Sequence, residues 1–172
     1  MKSKSLLFTL LVVILCGCSK KEDTVVEKYG ISFVCPADWK LTDATEEDGY
    51  SYICVEKSGF SSSGLVQFSM VEIEDESDFA FDDYLESYSS SIAANNLAPN
   101  IKFTEIKESV YGEYPALLST YTVDFLTVPH QGSVYMFYLN GKAICISYQE
   151  ANEDEKKNKA GFDKITASFK VN

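Results

Sequence analysis

An α+β fold, with an antiparallel β-sheet covered by helices, follows from three observations. Runs of alternating apolar and polar residues come first, a stretch with helical period interrupts them, further strand-like runs follow, and a second helical stretch lies near the end. Asn140-Gly141 sits between two apolar runs, the signature of a two-residue antiparallel hairpin. No regular alternation of strand and helix is present, so a parallel nucleotide-binding sheet is not expected.

The elements are expected in this order. Ile31, Phe33 and Cys35 alternate with Ser32 and Val34 until Pro36, a half-buried strand ending in a turn, with Trp39 and Leu41 as a short continuation. Residues 45–49 (TEEDG) read as a solvated loop, 50–56 as a strand, 57–64 as a Gly/Ser turn and 65–74 as a long strand. Phe81, Tyr84, Leu85, Tyr88 and Ile92 recur at three and four residues. They predict an amphipathic helix of about 15 residues, opened by Ser77 or Asp78 and closed at Asn95-Asn96. Strands are expected over 101–110 and 114–126, a loop over 128–132 (VPHQG), and the hairpin strands over 134–139 and 143–148. Asn152, with Glu155 three residues on, should open a lysine-rich helix that turns Phe162 and Ile165 inward. Residues 169–171 close the chain as a short edge strand.

The first 17 residues form a targeting segment. Lys2 and Lys4 precede the apolar run 6–15, which is too short to span a bilayer that needs roughly 20 helical residues, and Gly17 is the small residue before Cys18. Leu15-Cys16-Gly17-Cys18 resembles the bacterial lipobox, whose last cysteine is acylated and becomes the mature N-terminus; Cys16 is the departure from that pattern. The expected organisation is a lipoprotein signal peptide (1–17), a polar tether (18–28) and one domain (29–172). Lipid on Cys18 would hold the protein at a membrane of the cell envelope. Ser19 after that cysteine resembles lipoproteins passed to an outer membrane, where the cell has two.

The 172 residues carry a formal charge of −11, and loss of Lys2 and Lys4 with the leader takes it to −13. All 15 basic residues are Lys, so the planar fork that reads phosphate and guanine is missing and nucleic acid is not an expected partner. Attachment to a membrane must come from lipid rather than from a basic face.

Three stretches together resemble the PsbP-like fold family. Gly30-Ile31-Ser32-Phe33 followed by Pro36 and Trp39 resembles its opening strand and turn. Gly112-Glu113-Tyr114-Pro115-Ala116 resembles its mid-chain turn into a long strand, and Phe162-Asp163-Lys164-Ile165 with Ser168-Phe169 its closing helix and edge. The resemblance covers about residues 29–171. It implies an α/β/α sandwich and a non-enzymatic binding or assembly module, with no shared functional residue to carry over.

Catalytic constellations are scarce. His130 is the single histidine, beside Pro129, so any Ser-His or Cys-His pair must pass through it. No Gly-x-Ser-x-Gly elbow, His-Glu-x-x-His helix or Gly-rich phosphate loop is present. The acidic clusters Glu46-Glu47-Asp48 and Glu72-Glu74-Asp75-Glu76-Asp78 lack the spaced calcium loop and read as surface charge. After cleavage and lipidation Cys35, Cys54 and Cys145 remain. One disulfide is then possible, Cys35–Cys54 being the first choice, with buried free thiols as the alternative. The expectation is a lipid-anchored binding module of the envelope, without catalysis, cofactor or metal, engaging an envelope protein partner. The competing reading is an envelope hydrolase built from carboxylates and His130, metal-assisted or not.

Overall fold

The computed structural model describes residues 22–59, 62–94, 100–125 and 127–172. The signal segment and Cys18 lie outside them. In chain order the strands and helices are β1 (Thr24–Lys28), β2 (Ile31–Cys35), β3 (Trp39–Glu47), β4 (Tyr50–Lys57), β5 (Leu65–Glu72), α1 (Phe81–Ala94), β6 (Lys102–Phe103), β7 (Lys107–Tyr111), β8 (Tyr114–Phe125), β9 (Val128–Leu139), β10 (Lys142–Ala151), α2 (Glu155–Ser168) and β11 (Lys170–Val171). The fold is α+β with antiparallel sheets, as expected.

Eight strands form the large sheet, in the order β3-β4-β5-β10-β9-β8-β6, with β7 also paired to β8. Side chains alternate between its two faces. On one face Ile53, Val55, Phe68, Met70, Phe137, Ile144 and Ile146 pack against Ile165 and Phe169 of the α2 segment and against Ile31 and Phe33 of a small sheet, β1-β2-β11. On the other face Val123, Val134, Met136 and Cys145 pack under Phe81 and Leu85 of α1. The stripe read from the sequence is the stripe that docks: Tyr84, Tyr88 and Ile92 join this second core. Trp39 closes one end of the first core. Its indole lies so near Gly161 of α2 that a Cβ there would come within 2.5 Å of the ring nitrogen.

The Asn140-Gly141 hairpin forms with both residues at positive φ, 54° and 70°, and sets the β9–β10 register from Lys142↔Leu139 to Ala151↔His130. A second hairpin of the same kind was hidden in the expected acidic loop: Asp48 and Gly49 (φ 45° and 80°) form the turn, while Thr45, Glu46 and Glu47 belong to β3. Acidic side chains there protect an edge strand, and a register shift between Leu41 and Asp43 adds to that protection.

Four further expectations are corrected. Thr24–Lys28, assigned to the tether, is a strand paired to β2 from Thr24↔Cys35 to Lys28↔Ile31. Residues 128–132 extend β9 instead of forming a loop. Pro129 is tolerated because it lies beyond the last β10 pairing, where a neighbour is present on the β8 side alone. Helix α1 starts at Phe81, because Asp75 caps a separate 3₁₀ turn (Glu76–Asp78) with a reciprocal capping box, and Phe79 is extended. Likewise α2 is preceded by a 3₁₀ turn, Asn152–Asp154, without the side-chain cap expected of Asn152.

Candidate functional site

The first site grows from the β3–β4 hairpin. After the Asp48-Gly49 turn, Tyr50 and Tyr52 share a face of β4, opposite to buried Ser51 and Ile53. On β5 the same face carries Gln67 and Ser69, and α1 brings Tyr84, Ser87, Tyr88 and Ser91 across it at helical spacing. Because α1 packs over the β8–β10 side of the sheet, an open groove of about 470 Å³ remains beside it.

Gln67 organises this groove. Its Nε2 donates to the Tyr52 hydroxyl at 2.6 Å, and its Oε1 accepts from Ser147 Oγ at 3.1 Å. Tyr50 and Tyr84 each donate to Ser69 Oγ at 3.4 Å, and the Tyr88 and Tyr121 hydroxyls lie 3.1 Å apart. Burial pushes the phenols of Tyr52, Tyr84 and Tyr88 above their ordinary range, so they remain protonated. The lining therefore offers hydroxyls, an amide and aromatic faces, but no group poised to exchange a proton near neutral pH.

A second cleft, about 490 Å³, opens on the opposite face between β8, β9, β10 and α2. Thr120, Thr122, Gln131 and Ser133 form its polar side, while Tyr135, Tyr148 and Phe162 form its aromatic side. Glu150 lines its floor at 7% exposure. Gln131 Nε2 donates to its Oε1 at 3.3 Å, and its Oε2 has no partner among the described residues.

His130 stands elsewhere, near the start of β9. Its Nδ1 bonds the Val128 carbonyl at 2.9 Å and its ring meets Phe125 edge-on, centroids 4.9 Å apart. The shallow cleft it lines contains one carboxylate, Asp124, and Lys102. Among the described residues no three His, Cys, Asp or Glu side chains converge as metal ligands. The acidic run after β5 is engaged locally: Asp75 accepts from Ser77 N at 2.8 Å, and Asp78 accepts from Asp75 N at 3.0 Å.

Cys35 and Cys54, the expected disulfide pair, stand as free buried thiols, one in each sheet, and Cys145 is a third. Burial pushes all three thiols up, away from the reactive thiolate. Cys18 lies outside the described residues.

Neither cleft is announced by a motif. The phase shared by Tyr50 and Tyr52 and the period of Tyr84 and Tyr88 were visible in the sequence, but their convergence depends on sheet order. Glu150 gave no local signal at all.

No family model matches the chain and no curated protein matches it. Solved structures do. Cyanobacterial PsbP (CyanoP) from Synechocystis sp. PCC 6803 superposes with a TM-score of 0.57 at 15% identity, over 91% of this chain and 96% of that one. LpqN of Mycobacterium tuberculosis, described as involved in cell envelope biogenesis, gives 0.52 at 12% identity, over 87% and 90%. The Saccharomyces cerevisiae Ran-binding protein Mog1p gives 0.50 at 12% identity, over 87% and 95%. With a sheet covered on both faces and these three neighbours, the chain has a PsbP-like fold.

Proposed function

We propose that this protein is a lipid-anchored module of the cell envelope that binds a protein partner and performs no catalysis of its own. The observation that carries this reading is the groove beside α1, where aromatic faces and neutral hydroxyls are assembled without an acid, a base or an activated nucleophile. Such a lining suits a surface that recognises shape and hydrogen bonds, and Tyr is favoured at binding surfaces because it is large, rigid and amphipathic. The fold supports it: among its neighbours are a Ran-binding protein and one involved in envelope biogenesis. Cys18 is the proposed anchor. Since β1 begins at Thr24, the six residue steps from Cys18 reach at most about 20 Å, which keeps the domain against its membrane.

Two measurements test this. A photo-crosslinking residue placed at Ser87, on the rim of the groove, should give a discrete adduct in intact envelopes, and Tyr50→Ala should diminish it. The same adduct from position 159, on α2, would remove the groove from the proposal. Cys18→Ala should abolish labelling by a fatty-acid probe and release the protein from the membrane fraction. Continued labelling at normal mobility would remove the anchor.

A further inference from the structure

We infer that the cleft beside α2 is a receptor for an organic cation, a primary ammonium or guanidinium group held by the Glu150 carboxylate against the rings of Tyr135, Tyr148 and Phe162. This site is on the opposite face of the sheet from the tyrosine groove and does not depend on it.

Glu150 is the reason. It pairs with Gln131 in the β10–β9 register and faces the cleft together with Tyr148. A carboxylate offers about four acceptor positions. Here one long bond from a neutral amide is the whole protein contribution among the described residues, on a side chain removed from water over nine-tenths of its surface. A carboxylate buried with so few partners is costly unless a cation or several donors reach it. The chain has cations close by and sends them elsewhere. On α2, Lys157 pairs with Asp154, Lys159 with Asp163 and Lys164 with Asp23, and no lysine among the described residues lines the cleft. Asp163, the other carboxylate there, is an exposed rim group already held by Lys159.

The walls fit the same ligand. Tyr148 and Phe162 meet edge to face at 4.8 Å between centroids, and Tyr135 meets Tyr148 at 6.3 Å, so a cluster of aromatic rings lines the same cleft as the carboxylate. Ring faces attract cations through their quadrupole. Thr120 and Thr122 add hydroxyl acceptors for the remaining N–H groups. The volume is that of a small-ligand site, and the net charge of −11 concentrates cations at the surface. A neutral polyol would leave the Glu150 charge uncompensated, and an anion would be repelled. Oε2 is closed to solvent at rest, so binding requires the carboxylate to turn toward the cleft, releasing the Gln131 amide; terminal carboxylate rotation is soft.

A free amine and a lysine or arginine side chain of another protein share this chemistry, and two probes separate them. The purified full-length protein in non-ionic detergent is titrated with agmatine and with a Gly/Ser peptide bearing one central lysine, followed by calorimetry and by the amide resonances of Ser133, Tyr135 and Tyr148. Saturable binding of either is expected, the tighter one naming the source. Glu150→Gln should weaken it by about tenfold or more while leaving the melting temperature unchanged or raised. Thr122→Lys places an ammonium on the lip of the cleft; it should raise the melting temperature and suppress agmatine binding. The inference is overturned if neither probe saturates at millimolar concentration, if Glu150→Gln binds as the parent does, or, should that variant not fold, if Thr122→Lys leaves binding untouched.

Discussion

Gln67 and Phe68 are neighbours on β5, yet they belong to different materials. Phe68 faces α2 and is sealed between Phe33 and Phe169, ring centroids 4.6 and 5.7 Å away. Gln67 faces α1 and ties Tyr52 and Ser147 into a hydroxyl network beside open space. Strand β5 thus presents a dry aromatic core to α2 and, beside the second core that α1 covers, a wet, hydrogen-bonded surface on its other face. Stability is concentrated where side chains exclude water and meet one another. Recognition has room where the polar groups can exchange partners with a ligand. The two proposed sites follow this division: the tyrosine groove lies on the wet face, and the cation cleft opens where the dry face ends, with Thr120 and Thr122 in its lining.

The contrast can be broken by mutation, and the largest effect should come from its dry side. Phe68→Ala is expected to cost about 3–5 kcal/mol, read from the denaturant midpoint, because the cavity opens inside a rigid stack. A loss near 1 kcal/mol would mean that this face relaxes as readily as the other. Next comes the hairpin tip, which sets the register that sends each β9 and β10 residue to its face. Gly141→Val should cost about 2 kcal/mol, since a β-branched residue is strained at φ 70°, whereas Asn140→Asp should cost a few tenths. Equal melting temperatures for the two would place the control of register elsewhere. On the wet face Gln67→Leu should cost about 1–2 kcal/mol, leaving Tyr52 and Ser147 short of a partner, and should diminish crosslinking from Ser87. A stabilised Gln67→Leu with crosslinking intact would show that the network serves neither stability nor recognition. His130→Ala sets the baseline at about ±0.5 kcal/mol with cellular role retained, because the ring belongs to neither core and makes one local bond. Loss of function with the fold preserved would instead favour the hydrolase reading.

What could be read in advance was whatever depends on near neighbours. The stripe of α1, the alternation of β2 and the Asn140-Gly141 turn each follow from a few consecutive residues and a fixed period. Thr24–Lys28 escaped because its only recommendation is backbone pairing with β2: four of its five side chains are exposed, so no apolar alternation marks it. Residues 128–132 escaped because Pro129 and Gly132 are ordinary loop signals. Gly132 is in fact demanded by the sheet, where a Cβ would fall 2.3 Å from the Tyr148 carbonyl oxygen. The sites were the least legible. Tyr52 and Tyr88 are 36 positions apart in the chain, and Glu150 becomes unusual only once the sheet and α2 shut water away from it.

The pairing of β1 with β2 has a mechanical side. Thr24 lies at the open end of that hairpin, opposite the Tyr29-Gly30 turn, and the Lys164–Asp23 ion pair at 2.6 Å pins the residue just before it. For a chain held at Cys18, a pull away from the membrane would reach this clasp first and then peel β1 from β2 one rung at a time, a mode that yields under far less force than sliding two strands past each other. The small sheet would therefore act as a fuse, lengthening the attachment by a few residues under load and closing again when the load is removed.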